Sequence, residues 1–167
     1  LGKRLGPLNP LPVDDPNAVL SGFANPKMGE WINSTLESDL EEKGAYDATA
    51  PYRSGSRLLE AEGGTYLRPT IVHCDSMEHI LANREFLCPY ASVVEVPQAE
   101  MLRAIGPTLV VTAITKDETF KRQLLGASNV ERLNIGPIST MKISWDQPHE
   151  GNMFEFLYKR RSIGMAA

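Results

Sequence analysis

The sequence predicts an α/β domain: a mainly parallel sheet with helices on both faces, in three layers. Three observations carry that expectation. Strand-like runs at residues 66–73, 92–96, 108–114 and 130–135 alternate with stretches of helical periodicity. Glycine and proline pairs such as Gly63-Gly64 and Gly106-Pro107 punctuate the transitions. The run Thr108-Leu109-Val110-Val111-Thr112-Ala113-Ile114 is almost continuously apolar, as in a strand buried on both faces. Strands linked through helices form right-handed crossovers, which places the helices on both sides of a parallel sheet.

Taken in order, residues 1–26 carry Pro7, Pro10, Pro12, Pro16 and Pro26, so few positions can donate backbone hydrogen bonds, and the segment reads as an extended leader. From Lys27, the residues Met28, Trp31, Ile32, Leu36 and Leu40 recur at helical spacing. Pro26 suits the first turn and Gly44 the end, so the spacing predicts an amphipathic helix over 27–43. A loop follows over 47–55. Residues 57–60 and 66–73 read as strands flanking the Gly63-Gly64 turn. Ser76-Met77-Glu78-His79 opens a short helical turn, and residues 92–96 are β-branched and bounded by Pro89 and Pro97. A helix is expected over 98–105, another from Asp117 through Leu125 ended by Gly126, and a last short helix or turn over 153–158.

At 167 residues the chain has room for one real core, because a chain of this size buries roughly 70% of its unfolded surface. A net charge of −4 offers no electrostatic reason to expect nucleic acid or an anionic membrane. No apolar run is long enough to suggest a membrane span. Cys74 and Cys88 are too few for a disulfide scaffold, which favours a reducing compartment and hence the cytoplasm. His73-Cys74 with His79 lacks a fourth donor at regular spacing, so zinc is not expected. Lys159-Arg160-Arg161 is three charges on an acidic chain, which reads as a solvated face.

Five patches appear in fixed order: Gly63-Gly64-Thr65-Tyr66-Leu67-Arg68-Pro69-Thr70, Arg84-Glu85-Phe86-Leu87-Cys88-Pro89, Thr115-Lys116-Asp117, Leu133-Asn134-Ile135-Gly136 and Pro148-His149-Glu150-Gly151-Asn152. Together they resemble the C-terminal half of the aldehyde dehydrogenase catalytic domain, over residues 27–158. The resemblance implies a three-layer α/β/α fold that is incomplete within this chain, with residues 27–167 as its C-terminal portion. It implies NAD or NADP as cofactor in the complete enzyme, none bound to this chain alone, and an aldehyde oxidised to an acid or thioester. The partners it implies are the missing N-terminal half and further copies in a homo-oligomer.

The same resemblance implies roles for particular residues. Glu85 stands where the family's Glu-x-Phe-Gly-Pro motif has the carboxylate that accepts from the nicotinamide ribose hydroxyls, a task suited to an acceptor-only group. Leu87 takes the place of that motif's phenylalanine, keeping an apolar wall but not a flat one, and Cys88 takes the place of its glycine. Trp145 and His149 fall where family members face the aldehyde; each also fits a plainer role, Trp145 as a core or interface aromatic and His149 as a loop cap. The Gly-Gln-x-Cys and Glu-Leu-Gly-Gly motifs that supply the nucleophile and the general base are absent from the sequence. Neither Cys74 nor Cys88 falls at the nucleophile's place, so both are expected to be structural and the chain inactive alone. The alternative is a catalytically dead, stand-alone interaction module that keeps this half of the fold.

Overall fold

The computed structural model describes residues 1–144 and 162–166 of the chain. The chain divides into two units, Leu1–Glu95 and Val96–Ala167, and each has an apolar core of its own. Its α/β architecture with a parallel sheet agrees with the expectation, although the strands fall into three small sheets.

In the first unit, helix α1 spans Gly2–Leu5 and helix α2 spans Pro26–Leu40. Asn25 caps α2 by accepting from the Lys27 N–H at 3.1 Å, and Pro26 occupies the first turn, where its missing N–H costs nothing. The helix stops three residues short of the expected end, its last turn closed by the Glu41 N–H donating to Ser38 O at 3.2 Å. Ile32 and Leu36, four apart, are fully buried on one face. Met28 and Trp31 are exposed instead, because the buried face is centred on Gly29, Ile32, Asn33 and Leu36 and both lie off its centre.

Strand β1 is Ala45–Asp47, β2 is Leu58–Ala61, β3 is Gly64–Leu67, β4 is Thr70–Cys74 and β5 is Tyr90–Val94. β2 and β3 form an antiparallel hairpin whose turn needs positive φ at Gly63 (97°) and Gly64 (124°), a conformation that L side chains resist. The single strand expected over 66–73 is broken at Arg68-Pro69, because Pro69 has no N–H to continue a ladder. The Arg68 guanidinium closes that break by donating to the carbonyls of Ser54 and Ser56. β4 is then free to sit at the centre of a second sheet, antiparallel to β1 (Tyr46 opposite His73) and parallel to β5 (Val72 opposite Ser92). Val72, Cys74, Leu67 and Leu81 join Ile32 and Leu36 in the core.

The leader is not uniformly extended. Gly2 in α1 lies against the Ala48 carbonyl so closely that a Cβ would collide with it, and the Phe23 N–H donates to Thr65 O at 2.8 Å. Both ends of the leader are therefore docked on the first unit.

In the second unit, helix α3 spans Gln98–Ile105, β6 Thr108–Ala113, α4 Glu118–Gly126, β7 Val130–Ile135 and β8 Ser162–Met165. The three strands form a parallel sheet in the order β6-β7-β8. Asp117 starts α4 as expected: its Oδ1 accepts from the Thr119 N–H (2.8 Å) and the Phe120 N–H (3.1 Å). Phe120 and Leu124 from α4 pack with Ala113, Leu133 and Ile135 of the sheet. β6 departs from the expectation of burial on both faces, since Leu109 is 58% exposed. It lies at the edge of its sheet, and among the described residues no strand pairs with its other side.

A buried ion cluster closes the first unit. Asp47 Oδ2 lies 2.6 Å from Arg53 Nη2 and 3.0 Å from Arg57 Nη2, all three side chains being 7% exposed. Its Oδ1 accepts from the N–H groups of Thr49 (2.9 Å) and Ala50 (3.1 Å) and from the Thr49 hydroxyl. Arg57 continues to Asn33 Oδ1 on α2 at 3.2 Å. Burial alone would push the Asp47 carboxyl up, but the hydrogen bonds from Arg53, Thr49 and Arg57 outweigh it and hold the pKa at about 2.

Because that pKa is depressed from the ordinary 3.8, the stabilisation is present above about pH 4 and is lost as pH falls through about 2. Its size is about 2 kcal/mol. Asp47→Asn leaves two buried guanidinium groups without a countercharge, and urea unfolding at neutral pH should show a loss of about 3 kcal/mol. The difference between variant and wild type should narrow on acidification from pH 4 towards pH 2. A neutral-pH loss below about 1 kcal/mol, the scale of a surface pair, would contradict this role.

Candidate functional site

Residues 83–89 form a loop between a 3-10 turn at Ile80–Ala82 and β5. The cap is His79, three residues after Ser76, and its Nδ1 accepts from the Leu81 N–H at 3.1 Å. Cys74 Sγ lies 4.0 Å from the same Nδ1, and no group of three metal-type donors converges among the described residues.

The loop alternates in and out. Arg84, Phe86, Cys88 and Tyr90 are half-buried, whereas Glu85, Leu87 and Pro89 are exposed, the period of an extended backbone. Each inward residue has a partner. Arg84 donates from Nε to Asp39 Oδ2 at 3.1 Å, and its Nη2 lies 3.1 Å from the same oxygen as an ion pair. Phe86 meets Trp31 edge-on (centroids 6.4 Å apart) and Tyr90 likewise (5.1 Å). The Tyr90 hydroxyl donates to Leu81 O at 2.6 Å, and burial raises its pKa well above the phenol range.

Of the outward residues, Glu85 and Leu87 have none. Glu85 makes no hydrogen bond or ion pair with any described residue, and Leu87 is 89% exposed. The loop thus offers a free two-oxygen acceptor and, two residues on, an apolar side chain on the same side. That arrangement can take hydroxyl donors and a flat or aliphatic surface together.

Both thiols are held protonated at neutral pH. Cys74 is fully buried, and burial followed by the Asp75 charge pushes its pKa up. Burial pushes Cys88 to about 11 against the pull of Arg57. Neither is an activated nucleophile, which requires a thiolate.

Most of the other motif residues have structural work. Gly63 and Gly64 make the hairpin turn, Asp117 caps α4, and the Asn134 side chain donates to Thr112 Oγ1 at 3.2 Å, tying β7 to β6. Glu85 and Leu87 are left without such work. Trp145 and His149, the residues 153–158 and Lys159-Arg160-Arg161 lie outside the described residues. Sequence reasoning missed Asp39, which sits 45 residues from its partner Arg84 and gives no local signal.

No family model matches this sequence, and no curated protein matches it significantly. Among solved structures, a mutant aldehyde dehydrogenase from Bacillus cereus matches with a TM-score of 0.54 at 16% identity. The match covers 71% of this chain and 24% of that one. This chain therefore spans about a quarter of the neighbour's length. At that identity the likeness is one of fold: the chain has an aldehyde dehydrogenase-like α/β fold.

Proposed function

We propose that this chain is the ribose-facing part of an oxidoreductase that oxidises an aldehyde to an acid or acyl product with NAD or NADP. The observation that carries the reading is Glu85, an unpartnered, exposed carboxylate on a loop whose inward residues are clamped. It fits the two hydroxyls of a ribose as a double acceptor, with Leu87 alongside as an apolar wall. The dinucleotide, when bound, supplies the hydride acceptor. Trp145 and His149 are proposed to face the aldehyde. The nucleophilic cysteine and the general-base glutamate come from polypeptide outside these 167 residues, because Cys74 and Cys88 are held as thiols. Two free thiols suit a reducing compartment, and we place the protein in the cytoplasm on that ground.

A second reading, a stand-alone interaction module, is favoured by one observation: each unit closes an apolar core within the described residues. The enzyme reading is favoured by the exposed apolar side chains of the second unit, Leu109, Ile114 and Met165 among them, which call for a covering polypeptide or a second copy. Among the described residues, no helix is long and apolar enough to cross a membrane.

Two experiments decide. The chain alone should show no aldehyde-dependent reduction of NAD or NADP. A longer polypeptide carrying the nucleophile motif should, and there Glu85→Gln should raise KM for the dinucleotide by about 10- to 100-fold, the worth of a charge-assisted hydrogen bond. An unchanged KM would remove Glu85 from the site. Sedimentation velocity of the 167-residue chain should show association or binding of an apolar dye; a stable monomer that unfolds cooperatively and binds no dye would favour the module.

A further inference from the structure

The loop that presents Glu85 and Leu87 is tied to the end of α2 by an ion pair. Arg84 approaches Asp39 Oδ2 with two nitrogens, Nε and Nη2, each at 3.1 Å, and the Asp39 side chain is 14% exposed. Only the Nε–H donates a hydrogen bond and Nη2 adds charge beside the same oxygen, so the direction of the planar group is set through Nε. On the other side of Glu85, Phe86 is held between Trp31 and Tyr90. Trp31 and Asp39 both belong to α2. Glu85 is therefore bracketed by two residues that α2 grips, and its own side chain is the one that points out.

We propose that Asp39 and Arg84 form a latch that holds the 83–89 loop in register on α2, making Arg84 the positioning residue for the Glu85 carboxylate. The inference rests on the proposed ribose role of Glu85 and adds a residue that acts through it. With the latch closed, Cys88 is packed inward in the same loop and stays a thiol at about pH 8, its pKa lying at about 11. With the latch open, Cys88 reaches water, where a cysteine titrates at about 8.5 and reacts as thiolate. Its alkylation rate then rises on the order of 100-fold.

The test is iodoacetamide labelling of the native 167-residue chain at about pH 8, read by peptide mass spectrometry, with the fully buried Cys74 as internal control for global unfolding. Arg84→Gln and Asp39→Asn should each raise the Cys88 rate by at least about tenfold while Cys74 stays unchanged. Arg84→Lys, which keeps the charge but loses the Nε–H donor, should raise the Cys88 rate less than Arg84→Gln does. Unchanged Cys88 rates in both neutral variants, or Cys74 and Cys88 rates rising together, would overturn the latch. If one neutral variant fails to fold, the other decides. The readout needs no dinucleotide, so an unchanged KM in Glu85→Gln would sink the ribose reading and leave the latch standing.

Discussion

The first unit closes on the carboxylate of Asp47. Its two oxygens collect five contacts: the Arg53 and Arg57 guanidinium groups, the Thr49 and Ala50 amides and the Thr49 hydroxyl. Through Arg57 and Asn33 it reaches α2, and through its own backbone it sets the end of β1. β1 pairs with β4, and β4 with β5, so the strand that follows the candidate loop is located by a chain of contacts starting at Asp47. Coulomb attraction in a dry setting makes this cluster strong, and desolvation makes it unforgiving, because either Arg without the carboxylate would be a buried bare charge.

The loop at 83–89 shows how a fold can present a polar group without spending it on structure. An extended backbone sends alternate side chains to opposite sides. Arg84, Phe86, Cys88 and Tyr90 face inward, where an ion pair, two aromatic contacts and a short hydrogen bond hold them. Glu85 and Leu87 face outward and carry none of that load. Preorganisation of this kind lowers the ordering cost that a mobile carboxylate would incur on binding a ligand.

What could be read in the sequence was local. Asp117 as a helix cap and the Gly63-Gly64 hairpin turn depend on residues within three or four positions, and both stand where turn chemistry puts them. The order of α2, β2, β5, α3, β6, α4 and β7 followed from periodicity and turn residues, whereas α1, β1 and β8 did not. Apolar periodicity alone does not centre the buried face, which falls on Gly29, Ile32, Asn33 and Leu36 and leaves Met28 and Trp31 exposed. The break at Pro69 follows from a missing N–H and outranks the β-branched run around it. The expected two-sided burial of β6 depends on what covers it, and no local pattern reports an edge. That Glu85 falls between the strands expected over 66–73 and 92–96 was legible from their β-rich runs. The pairings of Asp39 with Arg84 and of Asp47 with Arg57 were not, because ion pairs across 45 and 10 residues leave no periodic trace.

The central claim is that Glu85 meets a nucleotide ribose. It is tested most directly by a crystal structure, with NAD or NADP bound, of a polypeptide that contains this chain and the nucleophile motif. The account predicts both Glu85 carboxylate oxygens within hydrogen-bond distance, about 2.6–3.2 Å, of the ribose hydroxyls, with Leu87 against the ring. A dinucleotide bound elsewhere, with Glu85 still facing open solvent, would contradict it.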